Sequence, residues 1–209
     1  MPEHATKLYY FPMRGRAETA RLLLVYTGTK FEDVKISVEQ WPSVKAQMPM
    51  GQVPVLEIDG KKLCQSTAIG RYLAREHGLA GKTNWDMAHA DMLVDGIFDM
   101  WGNLKSVYMP KLQGDAKSAD ENWALLVEEH LKPFLDRYYQ FLQENGGEYF
   151  VGNSITWADI AVAEFMSVLE DCFNAKALDS RPELKKFKDK IFELPQLKSY
   201  VTSRPPTVL

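Results

Sequence analysis

The spacing of apolar and polar positions changes character once along this chain, near residue 79. Before that point, short β-branched and aromatic runs alternate with helical spacing. Residues 7–11 read as a strand, and Arg16 to about Thr27 reads as a helix with Gly28 as its stop. Phe31 to Ile36 is β-rich again, and Pro42 suits the first turn of a short helix. Val53-Pro54-Val55-Leu56-Glu57-Ile58, then Asp59-Gly60, then Lys61-Lys62-Leu63-Cys64 predicts a hairpin, because Asp-Gly favours a tight type I′ turn. Ser66 to His77 returns to helical spacing and stops at Gly78. The order is βαβαββα. Beyond it the strand signals vanish. Residues 86–109 and 119–144 carry long helical apolar spacing, the second closed by Gly146-Gly147. Residues 157–172 and 183–193 are further helices, and Pro195 begins a last short one. The expected architecture is an α/β domain over 1–79, a polar linker at 80–85 and an all-helical domain over 86–209.

One helix start is explicit. Thr156 and Asp159 have capping-box spacing, with Asp in place of the usual Glu or Gln, and Ile155 and Ile160 occupy the staple positions. This is read as a structural cap, whose hydroxyl contributes roughly 0.5–2 kcal/mol.

Composition narrows the function classes. A chain of 209 residues with 45% hydrophobic and 11% aromatic content suits a globular core, as one large domain or two small ones. A net charge of -3 gives no sign of nucleic-acid binding. No apolar run approaches the ~20 residues of a membrane helix, and Met1–Lys7 has no secretory-type apolar stretch. Cys64 and Cys172 do not make a disulfide framework and are expected as reduced, small hydrophobes in a cytoplasmic protein. His4, His77, His89 and His130 are too scattered for a local metal motif, so no metal is expected.

The richest ten residues are Tyr9-Tyr10-Phe11-Pro12-Met13-Arg14-Gly15-Arg16-Ala17-Glu18. They gather a phenol, guanidiniums and a carboxylate where a strand enters a helix through a Gly-containing turn. A phenol there can donate to an anion, and arginines favour that anion further. Read blandly, the segment is an aromatic strand end with a solvated charged turn. It resembles the N-terminus of the sigma-class glutathione S-transferases, roughly Tyr-Phe-x-x-Arg-Gly-Arg-Ala-Glu. Three further blocks resemble that family in order and spacing: Trp41-Pro42 with Lys45, Gly51-Gln52-Val53-Pro54-Val55-Leu56, and Leu63-Cys64-Gln65-Ser66-Thr67-Ala68-Ile69. More weakly, the likeness extends over nearly the whole chain, with the nematode branch as its nearest match. The resemblance implies a thioredoxin-like N-terminal domain, in keeping with the βαβαββα order, followed by an all-helical one.

The chemistry can be set out in energetic terms. Thiol–disulfide exchange by a thioredoxin-like domain needs Cys-x-x-Cys at the first strand–helix turn, where this chain has Phe11-Pro12-Met13-Arg14. Any reacting thiol must therefore arrive with a ligand, and glutathione fits. A free thiol of pKa ~8.5 is only a few per cent ionised at neutral pH. Lowering it by ~2 units requires ~2.7 kcal/mol, and one hydrogen bond to a charged group supplies ~1.5–3 kcal/mol. A single positioned phenol nearly suffices, with Arg16 assisting. Tyr9 and Tyr10 face opposite sides of the strand, and physics alone does not choose between them. The resemblance assigns the role to Tyr10, which directly precedes the motif's Phe.

The family likeness also implies the contacts to glutathione. Trp41 and Lys45, four residues apart on one helical face, would meet the glycine carboxylate. Val53, before a proline that is cis in the family, would pair its backbone with the cysteinyl peptide. Gln52 would lie beside it. Gln65 and Ser66 open a helix whose N–H groups suit the γ-glutamyl carboxylate, with Ser66 as a plain N-cap being the alternative. Asp91, Asp95 and Asp99 recur every four residues, and Asp99 matches the family position that reaches across a dimer to the γ-glutamyl ammonium. Prostaglandin D synthases of the class have a denser acidic cluster there, where this chain has Phe98. Phe11, Met13, Gly15, Arg16 and Trp101 align with the wall of the apolar acceptor site, to which Tyr108 and Val208-Leu209 can add.

The resulting expectation is a cytoplasmic, homodimeric glutathione transferase of detoxification type, conjugating glutathione to apolar electrophiles. A glutathione-dependent prostaglandin D isomerase is the neighbouring activity. A carrier of haem or other large apolar ligands, or a crystallin-like protein with a crippled site, are the non-enzymatic alternatives. Intact Tyr10, Lys45, Gln65 and Ser66 argue against the last.

Overall fold

The computed structural model describes residues 4–207. It divides into two compact units: the described residues through Ala80 together with those from Phe192 onward, and Gly81–Ile191. Sequence spacing puts everything from residue 86 on in one domain; in the structure the segment from Phe192 groups with the first unit instead. The cause is packing of the last helix on the first.

In the first unit, β1 (Thr6–Tyr10), β2 (Glu32–Lys35), β3 (Val55–Ile58) and β4 (Lys61–Cys64) form a sheet in the order β2-β1-β3-β4. β1 pairs parallel with β2 and antiparallel with β3, and β3 with β4. This is the predicted thioredoxin-like order. Burial alternates along β1, with Thr6, Leu8 and Tyr10 buried and Lys7 and Tyr9 only partly so, as the period of two requires. The Asp59-Gly60 turn has φ of 49° and 81° at its two central residues, which is why Asp-Gly was legible as a hairpin.

Helix α1 (Glu18–Tyr26) follows a single 3-10 turn at Gly15–Ala17, so the regular helix starts two residues later than the spacing predicts. Its Leu22, Leu23 and Leu24 are fully buried. α2 (Trp41–Val44) is short, and α3 (Ser66–Glu76) packs beside α1. On the Tyr9 face of the sheet, Trp41, Val44, Val53 and Cys64 close over a small core of Ile36, Met48 and Val55.

The second unit is helical. α4 (Asn84–Leu112) is capped by Thr83, whose Oγ1 accepts from the Asp86 N–H at 3.1 Å while Asp86 accepts from the Thr83 N–H at 3.0 Å. α5 (Ala116–Leu126) passes through a π turn at Val127–Leu131 into α6 (Lys132–Glu144), so the predicted 119–144 helix is one run with a wider turn inside it. α7 (Trp157–Val168) is buried along its whole length. The Asp159 carboxylate behind its start accepts from the Thr156 N–H at 2.7 Å, the Thr156 hydroxyl at 2.8 Å and the Phe150 N–H at 2.8 Å. Burial pushes the Asp159 carboxyl up, and these donors oppose the shift. α8 (Pro182–Phe192) follows, and α9 (Pro195–Ser203) returns to the first unit. Among the described residues no helix is long and apolar enough to cross a membrane.

Candidate active site

Tyr10 ends β1 on its buried face, 7% exposed. After it the chain doubles back, with the Met13 N–H bonded to the Phe11 carbonyl at 2.7 Å. This return brings the Arg16 backbone N–H to the Tyr10 phenol oxygen, which accepts it at 3.1 Å. Gly15 makes the approach possible. It sits at φ +42°, and a Cβ there would lie 2.7 Å from the phenol oxygen and 3.1 Å from the ring's Cε1. Only glycine allows both the backbone conformation and the contact. The predicted pair Tyr10–Arg16 thus meets through the backbone of Arg16, whose side chain is exposed.

Tyr9 is placed differently. Its phenol donates to Glu57 at 3.2 Å, and the Lys62 ammonium lies 5.6 Å from its ring centre. Burial and the Glu57 carboxylate raise its pKa above the ordinary value.

The other predicted glutathione contacts fall around the C-terminal edge of β1 and the β3–α3 region. Phe11 bridges the two faces, 5.7 Å from Tyr10 and edge-on to Trp41 at 5.5 Å between ring centres. Trp41 is half-buried at the start of α2; the Lys45 N–H closes that helix onto the Trp41 carbonyl. The exposed Lys45 runs its stem past Gly51, 3.5 Å from where a Cβ would stand. The Val53–Pro54 peptide is cis. Gln52 and Gln65, both exposed, approach side chain to side chain at 3.5 Å. Gln65 has φ +75° and ψ 116°, a backbone state disfavoured for a residue with a Cβ. Such outliers cluster at functional sites. Gln65 occupies the cap of α3, so Ser66 is its first helical residue rather than its N-cap.

In the second unit, Asp95 and Asp99 are exposed on α4 and Asp91 is half-buried. Trp101 packs edge-on to Phe165 at 5.8 Å, and Tyr108 is half-buried two turns on. Met13, like Phe11, is half-buried in the first unit. The predicted contributions of Val208 and Leu209 lie outside the described residues. Among the described residues, no group of three or more His, Cys, Asp and Glu side chains is placed to hold a metal ion.

One cluster behind Tyr10 escaped sequence reading: Arg21, Asp33, Tyr200 and Arg204 around Glu18, the carboxylate of the first motif. Glu18 and Arg21 are 2% and 3% exposed and joined at 2.9 Å. The bland reading of a solvated charged turn holds for Arg16, which is exposed, but not for the buried Arg14 or for Glu18 and Arg21 beyond it. The available signal was two charges beside Leu22-Leu23-Leu24, on a helix too apolar to spare a solvated face.

Residues 6–75 match the model of the glutathione S-transferase N-terminal domain, and residues 103–204 match that of a glutathione S-transferase C-terminal domain. The chain is 37% identical to glutathione S-transferase 1 of Ascaris suum over 99% of both chains. It belongs to the glutathione S-transferase family. Among solved structures, the transferase is similar to a Nu-class enzyme of the family from Haemonchus contortus, at 37% identity and TM-score 0.84, covering 99% of this chain and 100% of that one. It is also similar to a prostaglandin synthase D of Nilaparvata lugens, at 33% identity and TM-score 0.80, covering 96% and 99%. The family uses glutathione as co-substrate, and nematode members are among the transferase's relatives.

Proposed function

We propose that the transferase is of the sigma class, ionises the thiol of bound glutathione at Tyr10, and adds the sulfur to apolar electrophilic carbon. The observation that supports this most is the buried phenol held by the Arg16 N–H at 3.1 Å. A hydroxyl that accepts such a bond turns its proton away from that donor, and the bond makes its O–H a stronger donor. Aimed at sulfur, that proton favours thiolate over thiol. The thiol proton leaves to solvent; the sulfur lone pair then forms the new bond to carbon, and the leaving group departs with its electron pair.

On this reading glutathione lies along the edge built by Trp41, Lys45, Gln52, Val53, Pro54, Gln65 and Ser66. Lys45 faces the glycine carboxylate, and the first N–H groups of α3 face the γ-glutamyl carboxylate. Asp99 of the partner subunit in a homodimer holds the γ-glutamyl ammonium. Phe11, Met13 and Gly15 form the first unit's part of the acceptor wall, and the enzyme works in the cytoplasm. The test is steady-state turnover of a generic aromatic chloride with glutathione, with haem as competitor. The reading expects saturable turnover. Haem binding with no turnover at any glutathione concentration would replace the enzyme with a carrier.

A further inference from the structure

Among the described residues of the first unit, Arg21 is one of three buried charged side chains, with Arg14 and Glu18. It is 3% exposed. One arm of its guanidinium donates to the Met13 carbonyl at 2.8 Å, to the Arg14 carbonyl at 3.4 Å and to Glu18 at 2.9 Å. Its Nε donates to Asp33 at 3.1 Å, and its central carbon lies 5.8 Å from the Tyr10 ring centre. Glu18 is held from its other side. Its second oxygen accepts from the Tyr200 hydroxyl at 3.0 Å and from Arg204 at 3.3 Å, both contributed by α9 and the residue after it.

A buried ionic cluster of this kind is weak support for stability, because desolvation offsets much of the attraction. Burial alone works to lower the pKa of Arg21, and Glu18 and Asp33 outweigh it, so the guanidinium stays charged. Met13 and Arg14 come just before Gly15 and Arg16, so the guanidinium holds the carbonyls of the loop whose Arg16 N–H meets the phenol.

We propose that Arg21 is a positioning residue for thiol activation, holding the Met13–Arg16 loop so that the Arg16 N–H stays on the Tyr10 phenol, with Glu18, Tyr200 and Arg204 locking Arg21 in place. This rests on the reading of Tyr10 as the residue that ionises glutathione. The C-terminal helix thereby takes part in the chemistry without touching substrate.

The experiment compares Arg21→Lys, Tyr200→Phe, Tyr10→Phe and the double variant Arg21→Lys/Tyr10→Phe. The readouts are the ultraviolet titration of bound glutathione thiolate, the pH profile of kcat/KM, and thermal unfolding. Lysine keeps the charge but cannot serve Met13, Glu18 and Asp33 with one rigid fork. Arg21→Lys is expected to raise the thiol titration by about one unit, roughly a tenfold loss of thiolate below it, with the KM for glutathione within about twofold. Tyr200→Phe, which removes one donor to Glu18 and threatens folding least, moves the titration the same way by about half as much. In the Tyr10→Phe background, Arg21→Lys adds no further shift, because it acts through that phenol. A lowered melting temperature with an unmoved titration in both single variants makes the cluster merely structural and overturns the inference. Additive shifts overturn it too. If Tyr10→Phe alone leaves the titration at the wild-type value, the reading of Tyr10 fails first and the inference falls with it.

Discussion

Tyr9 and Tyr10 are neighbours on one strand with the same side chain, yet their hydroxyls sit in opposite chemical situations. Tyr9 donates to a carboxylate, Glu57, on a half-open face beside Lys62. Its proton is committed, and its pKa is raised by burial and that carboxylate. Tyr10 is buried and accepts an N–H from a loop that folds back onto it. One phenol donates to a carboxylate of its own protein; the other accepts from a backbone N–H and, on the proposed reading, turns its proton to glutathione. The lesson is that the two phenols are set apart less by the strand than by what the next six residues do.

The comparison breaks most sharply at Tyr10. Tyr10→Phe is expected to keep the fold and the affinity for glutathione and to lower turnover by roughly 10²-fold, the low end for a positioned proton or oxyanion partner. Steady-state kinetics with an aromatic chloride measure it. A Tyr9→Phe defect larger than this one would reverse the assignment of faces.

Gly15 comes next. A methyl group there would stand 2.7 Å from the Tyr10 oxygen, so Gly15→Ala must displace the phenol, the loop or both. Turnover is expected to fall about tenfold, with folding destabilised by roughly 1–2 kcal/mol for an alanine at positive φ. Turnover at the wild-type level in the destabilised variant would mean that the close approach of loop and phenol does not matter to chemistry.

Lys45 sharpens the contrast from the other side of the sheet, where α2 closes the Tyr9-side core. Lys45→Ala is expected to raise the KM for glutathione about fivefold while changing kcat less, since a solvated ion pair distant from sulfur contributes to binding alone. An unchanged KM returns Lys45 to a solvated surface role.

Much of the fold was legible because its signals are local. The Asp59-Gly60 turn demands positive φ twice, and the Thr156–Asp159 cap precedes an apolar run. The Thr83–Asp86 cap has the same spacing but was absorbed into a polar linker, because its flank is exposed and carries Lys82 and Asn84. The π turns at Val127–Leu131 and at Leu169–Phe173, the latter just after α7, left no trace, since one extra residue in a turn hardly disturbs a helical period. At the candidate site, Tyr10 against Tyr9 followed from family likeness rather than periodicity. The Glu18–Arg21 cluster left only the hint of two charges beside Leu22-Leu23-Leu24; its partners Tyr200 and Arg204 lie at the other end of the chain, and sequence spacing reports nothing about contacts that remote.

The smallest effect is expected at Tyr9. Tyr9→Phe removes one hydrogen bond, at 3.2 Å and partly exposed, and keeps the ring over the small core of Ile36, Met48 and Val55. A charge-assisted bond to a carboxylate, discounted for screening near solvent, is worth about 0.5 kcal/mol net. That contribution requires the protonated phenol. Because the folded pKa is raised, the difference in stability between wild type and variant is constant below the unfolded value of about 10 and is lost as pH rises through the folded one. Chemical unfolding at neutral pH and at a pH above that range measures both ends. Turnover near neutrality, where Tyr9 is protonated in either state, is expected within about twofold of wild type. A tenfold loss of turnover with unchanged stability would place Tyr9, and not only Tyr10, at the reacting sulfur.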